Sequence, residues 1–229
     1  MNGFVHESLL QEAKHEKTGG PIVFIHVPKT GGMTFYSMIR EIYKSSELHK
    51  INPAAESVEK YRNLSPAMKD RLKVIYGHMD YGLRDLLPPG SSYVTLLRHP
   101  VERVISHYYY VRRTANDPLR ELALRSSLYD WVARCNLEEM DNGQTRRLSG
   151  MAQGAGFGEC PTETLIQAKS NIARNFALTG ITGRYDESHI LMSKMFGWPI
   201  RYFPSVNVAK SKPGQYVKRK IRKWAPAWL

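Results

Sequence analysis

The sequence predicts an α/β fold: a single domain in which a central parallel sheet is flanked by helices. Three observations carry that reading. Short apolar runs rich in β-branched residues alternate with longer stretches whose apolar residues recur at helical spacing, as in strands joined by helical crossovers. The chain has 229 residues, enough for one domain with a substantial buried core. It is 42% hydrophobic and 24% charged, the balance of an ordinary globular protein.

The elements follow in order. Residues 1–20 are polar, carry no signal-peptide core and read as an N-terminal extension. "PIVFIHV" reads as a buried strand, bounded by Gly-Gly before it and Pro after. In "MTFYSMIREIYKSS", Phe35, Met38, Ile39 and Ile42 share a helical face, so a helix follows. "KVIYGH" and "SYVTLLRH" read as the next two buried strands. Pro100 then suits the first turn of a helix over "VERVISHYYYVRR". From about Pro118 to Leu148 the patterning is helical, and "MAQGAGFGECP" is a glycine-rich loop. "TETLIQAKSNIARNF" is an amphipathic helix, "ALTGIT" a short strand and "SHILMSKMFGW" a last helix. The domain is expected over 21–212, with a basic tail at 213–229.

The net charge is +12, which points to anionic partners without choosing among nucleic acid, phospholipid, acidic glycan and phosphorylated cofactor. From His189 onward there is no Asp or Glu, while nine residues are Lys or Arg. "VKRKIRKWAPAWL" mixes those bases with Trp224 and Trp228, a composition for contact with an anionic surface or for a solvated tail. Cys135 and Cys160 form no C-x-x-C pair, which disfavours a disulfide scaffold and a structural zinc site. No apolar run approaches the roughly 20 residues needed to span a bilayer. The expectation is a soluble, cytoplasmic chain with no transmembrane segment, unless an anchor has been trimmed from it.

In parallel sheets ligands bind beyond the carboxyl ends of the strands, so the three strand-end turns are the places to look for chemistry. The first is "PKTGGMT". Gly31 and Gly32 allow close backbone approach to an anion, and the following helix offers N–H groups at its positive end. Lys29 adds a point charge, and Thr30 and Thr34 add hydroxyls. This is an anion site, yet it lacks the Gly-x-x-x-x-Gly-Lys spelling of the triphosphate loop. The second is "YGHMDYG", where His78 ends a strand. A single histidine is most often hydrogen-bonded within the fold, but this one shares a sheet edge with the anion turn and is a candidate general base. The third is "LLRHPVERVISHYY". Arg98 and Ser106 together suit a clamp for a second phosphate, with Arg103 and His107 competing for the role. The alternative is that Arg98 caps the strand and Ser106 packs.

Lys-Thr-Gly-Gly at the first strand, Gly-His at the next and Arg-x7-Ser at the third resemble the sulfotransferases that use 3′-phosphoadenosine 5′-phosphosulfate (PAPS). The chain is similar to their carbohydrate branch, which includes heparan sulfate 2-O-sulfotransferase. "AKSNIARNFALTGITGRYDESHILMSKMFGW" resembles the family's later helix, strand and helix, and the similarity runs from about Pro21 to Lys212. The resemblance implies a P-loop-like sulfotransferase fold. It implies that Lys29, Thr30, Gly31, Gly32, Met33 and Thr34 hold the 5′-phosphosulfate, with Lys29 on the bridging oxygen. It further implies that Arg98 and Ser106 hold the 3′-phosphate, that His78 is the base, and that Ser211 and Lys212 in "NVAKSKPG" fold over the nucleotide. Three positions depart from the family: Met33 stands where Thr or Ser is usual, Tyr76-Gly77-His78 replaces His-Gly-His, and Gly183 stands where Glu is common.

Sulfuryl transfer resembles in-line phosphoryl transfer, in which positioning and neutralisation of charge on the leaving side do most of the work. The product is then adenosine 3′,5′-bisphosphate (PAP), and no metal is expected. Gln144 and Arg147 in "DNGQTRRLSG" are candidates for lining the acceptor cleft, with Arg146 and Arg147 favouring an anionic glycan. Tyr108, Tyr109 and Tyr110 offer rings for stacking on sugars, though at helical spacing at least one belongs to the core. The expected acceptor is a hydroxyl of a glycan or glycolipid, with no nucleic acid partner. The alternatives are a non-catalytic binder of polyanions on the same fold and a nucleotide-dependent kinase. Asp80 and Asp85 are the carboxylates nearest to a magnesium-holding position.

Overall fold

Successive residues of the first strand enter opposite cores, as a strand buried on both faces requires. Val23 and Ile25 pack into one core with Ile75 and Tyr93, while Ile22 and Phe24 pack into the other with Val74, Tyr76 and Val94. The computed structural model describes residues 19–52, 54–151 and 156–200, and the elements below lie within them.

Five parallel strands form one sheet: β1 (Ile22–Ile25), β2 (Leu48–Lys50), β3 (Val74–Gly77), β4 (Ser92–Leu97) and β5 (Phe176–Ile181). Their spatial order is β2-β3-β1-β4-β5. β1 is central, in register with β3 (Ile22 opposite Val74) and β4 (Ile22 opposite Ser92). The carboxyl ends of β3, β1 and β4 are therefore neighbours.

Helix α1 (Gly32–Ile42) follows β1, and α2 (Ala55–Arg62) and α3 (Pro66–Arg71) lie between β2 and β3. After β4 come α4 (Pro100–Arg113), α5 (Arg120–Arg125), α6 (Leu128–Arg134), α7 (Gly143–Ser149) and α8 (Thr162–Asn175), which runs directly into β5. Helix α9 (Tyr185–Phe196) closes the described fold. One core sets Ile51, Tyr61, Leu148 and Ala168 against the sheet. The other sets Phe35, Tyr36, Ile39, Met192 and Trp198 against its opposite face. A satellite cluster of Tyr108, Val111, Ala123, Trp131 and Cys135 joins α4 to α5 and α6.

The α/β class, the single parallel sheet and its flanking helices are as the sequence predicts. β2 is a departure: "LHK" is a polar, three-residue edge strand, and its residues are not fully buried. The helical stretch from 118 to 148 is three helices, because local chemistry interrupts it. The Ser127 side chain accepts the Asp130 N–H and starts α6, and Asn142 adopts a left-handed conformation (φ 55°) before α7. Helix α9 starts at Tyr185, three residues before the predicted Ser188. The extension (residues 1–18), the tail at 213–229 and residues 152–155 of the glycine-rich loop lie outside the described residues, as do Ser211 and Lys212. Among the described residues no helix is long and apolar enough to cross a membrane.

Candidate active site at the strand ends

The turn between β1 and α1 is built around two unusual backbone conformations. Lys29 takes a left-handed φ of 69° and Gly31, the N-cap of α1, one of 93°. Only glycine adopts such a φ without strain, and a Cβ on Gly31 would also press on the Tyr185 ring at 3.1 Å. Gly32 is needed for another reason. A Cβ there would lie 2.2 Å from the imidazole of His26, so the glycine admits a buried histidine edge against the first turn of the helix.

The hydroxyls of the turn are committed within the fold. Thr30 is fully buried and donates to the Val27 carbonyl at 2.7 Å. Thr34, 5% exposed, is hydrogen-bonded to Tyr185. Both hydroxyls, expected from the sequence to face the anion, thus have partners inside the fold. Met33 is exposed at the second position of α1 and has no hydroxyl. What the turn presents is therefore backbone N–H, at a helix terminus where the first amides lack intrahelical acceptors, together with Lys29. Thr182, to which sequence reasoning gave no role, pins the turn: its hydroxyl lies 2.7 Å from the Thr30 carbonyl and 2.9 Å from that of Leu97.

Lys29 Nζ sits over the Tyr110 ring, 4.0 Å from its centroid. Burial, with Arg113 and then Arg98 nearby, pulls its pKa down to about 8. Arg98 donates to the Lys29 carbonyl at 3.3 Å and pairs loosely with Glu102 at 3.4 Å. Three cations thus act on one another at one turn, and an anion there would relieve their repulsion. Ser106 lies on the α4 face that carries Glu102 and Tyr110, four residues from each, and so faces the same region. The two competitors for its role are engaged elsewhere. Arg103 is buried against Glu139 at 2.5 Å, and His107 stacks on Trp131 with its pKa pushed down to about 4, first by burial.

His78 stands at the end of β3 beside the end of β1. Its Nδ1 is 3.1 Å from the His26 carbonyl, which only accepts, so Nδ1 carries the proton and Nε2 keeps a free lone pair. Its ring stacks on that of His26, with centroids 4.5 Å apart. His26 itself is buried against the Tyr36 hydroxyl at 2.6 Å, and its pKa falls to about 2, mainly through burial. Burial also holds His78 below the ordinary imidazole value, with Arg147 and Lys50 acting the same way; the His26 carbonyl and Glu139 act against it.

Gln144 and Arg147 do not present free side chains to an acceptor. Gln144 bonds both backbone groups of Arg98 at 2.9 Å. Arg147 donates to the His78 carbonyl at 2.6 Å and to Glu139 at 2.8 Å. Arg146 is buried and paired with Asp141, so neither guanidinium is an open site for an anionic glycan. Sequence reasoning offered them to an acceptor, because nothing local marks a partner many residues away. Of the three tyrosines, Tyr108 is core and donates to the Ser126 carbonyl at 2.9 Å, whereas Tyr110 is 41% exposed beneath Lys29. Among the described residues no cluster of three or more His, Cys, Asp or Glu has the arrangement of a metal site.

The fold brings the glycine turn after β1, with Lys29 and Arg98, beside a strand-end histidine in an α/β protein. The chain is similar to several curated proteins. It is 36% identical to a protein-tyrosine sulfotransferase of Arabidopsis thaliana over 91 residues, 39% of this chain and 17% of that one. It is 24% identical to a heparin sulfate O-sulfotransferase of Drosophila melanogaster over 185 residues, 70% of this chain and 51% of that one. To galactose-3-O-sulfotransferase 2 of Sus scrofa it is 22% identical over 240 aligned positions, 93% of this chain and 59% of that one. Each of these relatives is named a sulfotransferase, so the resemblance drawn from the strand-end motifs holds. The chain spans less than two thirds of the length of each. Among solved structures, a mouse sulfotransferase complexed with PAP matches at 12% identity and a TM-score of 0.48, covering 96% of this chain and 70% of that one. No protein-family model matches.

Proposed function

We propose that the chain is a sulfotransferase that moves a sulfuryl group from PAPS to an acceptor hydroxyl of a carbohydrate. The observation that carries this reading is the joining of three turns by hydrogen bonds at one sheet edge. His78 bonds the end of β1, Arg98 bonds the Lys29 carbonyl, and Lys29 stands close enough to Arg113 and Arg98 for their charges to lower its pKa. The donor would supply the sulfuryl group with a phosphate as its leaving group. The α1 N-terminus and Lys29 would hold the 5′ side, and Arg98 with Ser106 the 3′-phosphate that distinguishes this donor from ATP. His78 Nε2 takes the proton of the acceptor hydroxyl as its oxygen bonds to sulfur. Lys29 and the helix N-terminus balance the charge that collects on the departing oxygen. The carbohydrate acceptor is supported by two relatives whose names carry heparin sulfate and galactose; a third names tyrosine.

The test is calorimetric titration with PAP and with ATP, followed by transfer of labelled sulfate to a panel of galactosides, uronic glycans and tyrosine peptides. PAP is expected to bind far more tightly than ATP. His78→Ala is expected to lose about 10²–10⁴-fold in transfer while keeping PAP affinity. Tight ATP binding with a magnesium requirement would instead mark a kinase. Glycan binding without PAP affinity would mark a polyanion binder.

A further inference from the structure

Helix α7 touches both the base turn and the phosphate turn, although it belongs to neither. Gln144 acts as a two-point clamp on β4's end, its Oε1 accepting the Arg98 N–H and its Nε2 donating to the Arg98 carbonyl, both at 2.9 Å. One helical turn later Arg147 reaches the other way, to the His78 carbonyl at 2.6 Å and, more loosely, to Asp80 at 3.3 Å. Glu139, just before the helix, closes the circuit by binding Arg147 at 2.8 Å and Arg103 of α4 at 2.5 Å.

The helix is held in place from both ends. At its first residue, Gly143, a Cβ would meet Glu139 at 2.8 Å and Arg103 at 3.1 Å. Its C-cap, Gly150, has a φ of 72°, and a Cβ there would meet the Gly82 backbone at 2.9 Å. On the inner side Asn171 of α8 donates to the Leu148 and Ser149 carbonyls at 2.8 and 2.9 Å.

We propose that α7 is a bracket whose Gln144 and Arg147 set the donor-binding turn and the base turn against each other, as positioning residues rather than acceptor contacts. The proposal rests on the sulfotransferase reading of the site. A side-chain amide bonded to both backbone groups of one residue fixes the direction in which Arg98 leaves the sheet, and hence where its guanidinium meets a phosphate. A guanidinium on the His78 carbonyl fixes the plane from which the imidazole projects, and so keeps Nδ1 on the His26 carbonyl and Nε2 facing out. The charged and titratable groups around His78 are His26 just after β1, Lys50 from β2, Arg147 from α7 and Glu139 before it, with Asp80 on its own turn. Replacing Arg147 by Lys retains the positive charge among them while removing the planar fork.

The experiment uses the full chain, with PAP as the calorimetric probe and isotope-labelled histidine spectra to read the His78 tautomer. His78→Ala assigns the resonance. Gln144→Ala is expected to weaken PAP about tenfold, the loss typical of two hydrogen bonds, with the His78 signature unchanged. Arg147→Lys is expected to leave PAP affinity within about twofold while His78 becomes a mixture of tautomers. A merely structural helix would lower thermal stability in both variants without this division between the two readouts. Wild-type chain that binds no PAP overturns the sulfotransferase reading and this proposal with it. Wild-type chain that binds PAP while Gln144→Ala binds it equally well overturns the bracket alone. If Arg147→Lys does not fold, the Gln144→Ala titration still decides the matter.

Discussion

At the residue scale, His78 and Lys29 must be in opposite protonation states for the proposed chemistry, and their surroundings push them there. A base has to be neutral, so His78 works above its pKa, which burial holds below the ordinary imidazole value. A charge-stabilising lysine has to be protonated, so Lys29 works below its pKa, which burial and neighbouring cations bring down to about 8. The expected pH profile of kcat/KM for the donor is a bell, rising below the usual histidine range and falling near pH 8. In Lys29→Arg the alkaline limb should disappear, since a guanidinium does not deprotonate in that range. An alkaline limb that stays in place in Lys29→Arg would show that another group produces it. The placement of these two residues was legible in the sequence, because both stand at strand ends. The tautomer was not, since it depends on a carbonyl 52 residues away in the chain.

At the scale of elements, the anion turn shows where reading glycines from sequence alone falls short. Both glycines of "PKTGG" look like openings for an anion, and Gly31 does carry the left-handed φ that its turn demands. Gly32 instead makes room for His26, whose ring occupies the place of a Cβ. Gly32→Ala should therefore cost about 3 kcal/mol of stability, as overpacking of a tight site does, and should displace the ring that stacks on His78. Gly183→Ala is the control, because among the described residues nothing lies within 4 Å of a Cβ at that position. Urea unfolding of both variants checks the difference; equal stabilities would mean that the His26 ring moves aside at no cost. The strands and long helices were legible because their periodicity is strong. β2 was hidden by its length and polarity, since a three-residue edge strand carries no alternation to read. The clamps on α7 were hidden differently: Gln144 and Arg147 bond residues 46 and 69 positions away, and their partners are backbone groups that no side-chain pattern announces.

At the scale of the whole molecule, strand order decides which turns meet, and the net charge of +12 decides what they attract. β1 lies between β3 and β4, so His78, the β1–α1 turn and Arg98 converge although the chain separates them widely. Around that convergence two kinds of cation are distinguishable. Arg98 is hydrogen-bonded into the turn itself, through the Lys29 carbonyl. Arg113, in the last turn of α4, acts on Lys29 as a neighbouring charge. A contact of the first kind survives salt, whereas a field of the second kind is screened within a Debye length of about 10 Å at 0.1 M and far less at 1 M. Arg98→Gln should accordingly weaken PAP strongly at every ionic strength. Arg113→Gln should weaken it by about threefold in dilute buffer, and that loss should vanish near 1 M salt. Calorimetric titration of both variants across a salt series separates the two. A loss in Arg113→Gln that persists at high salt would place that guanidinium in direct contact with the bisphosphate, and would widen the donor site from the strand ends to the far end of α4.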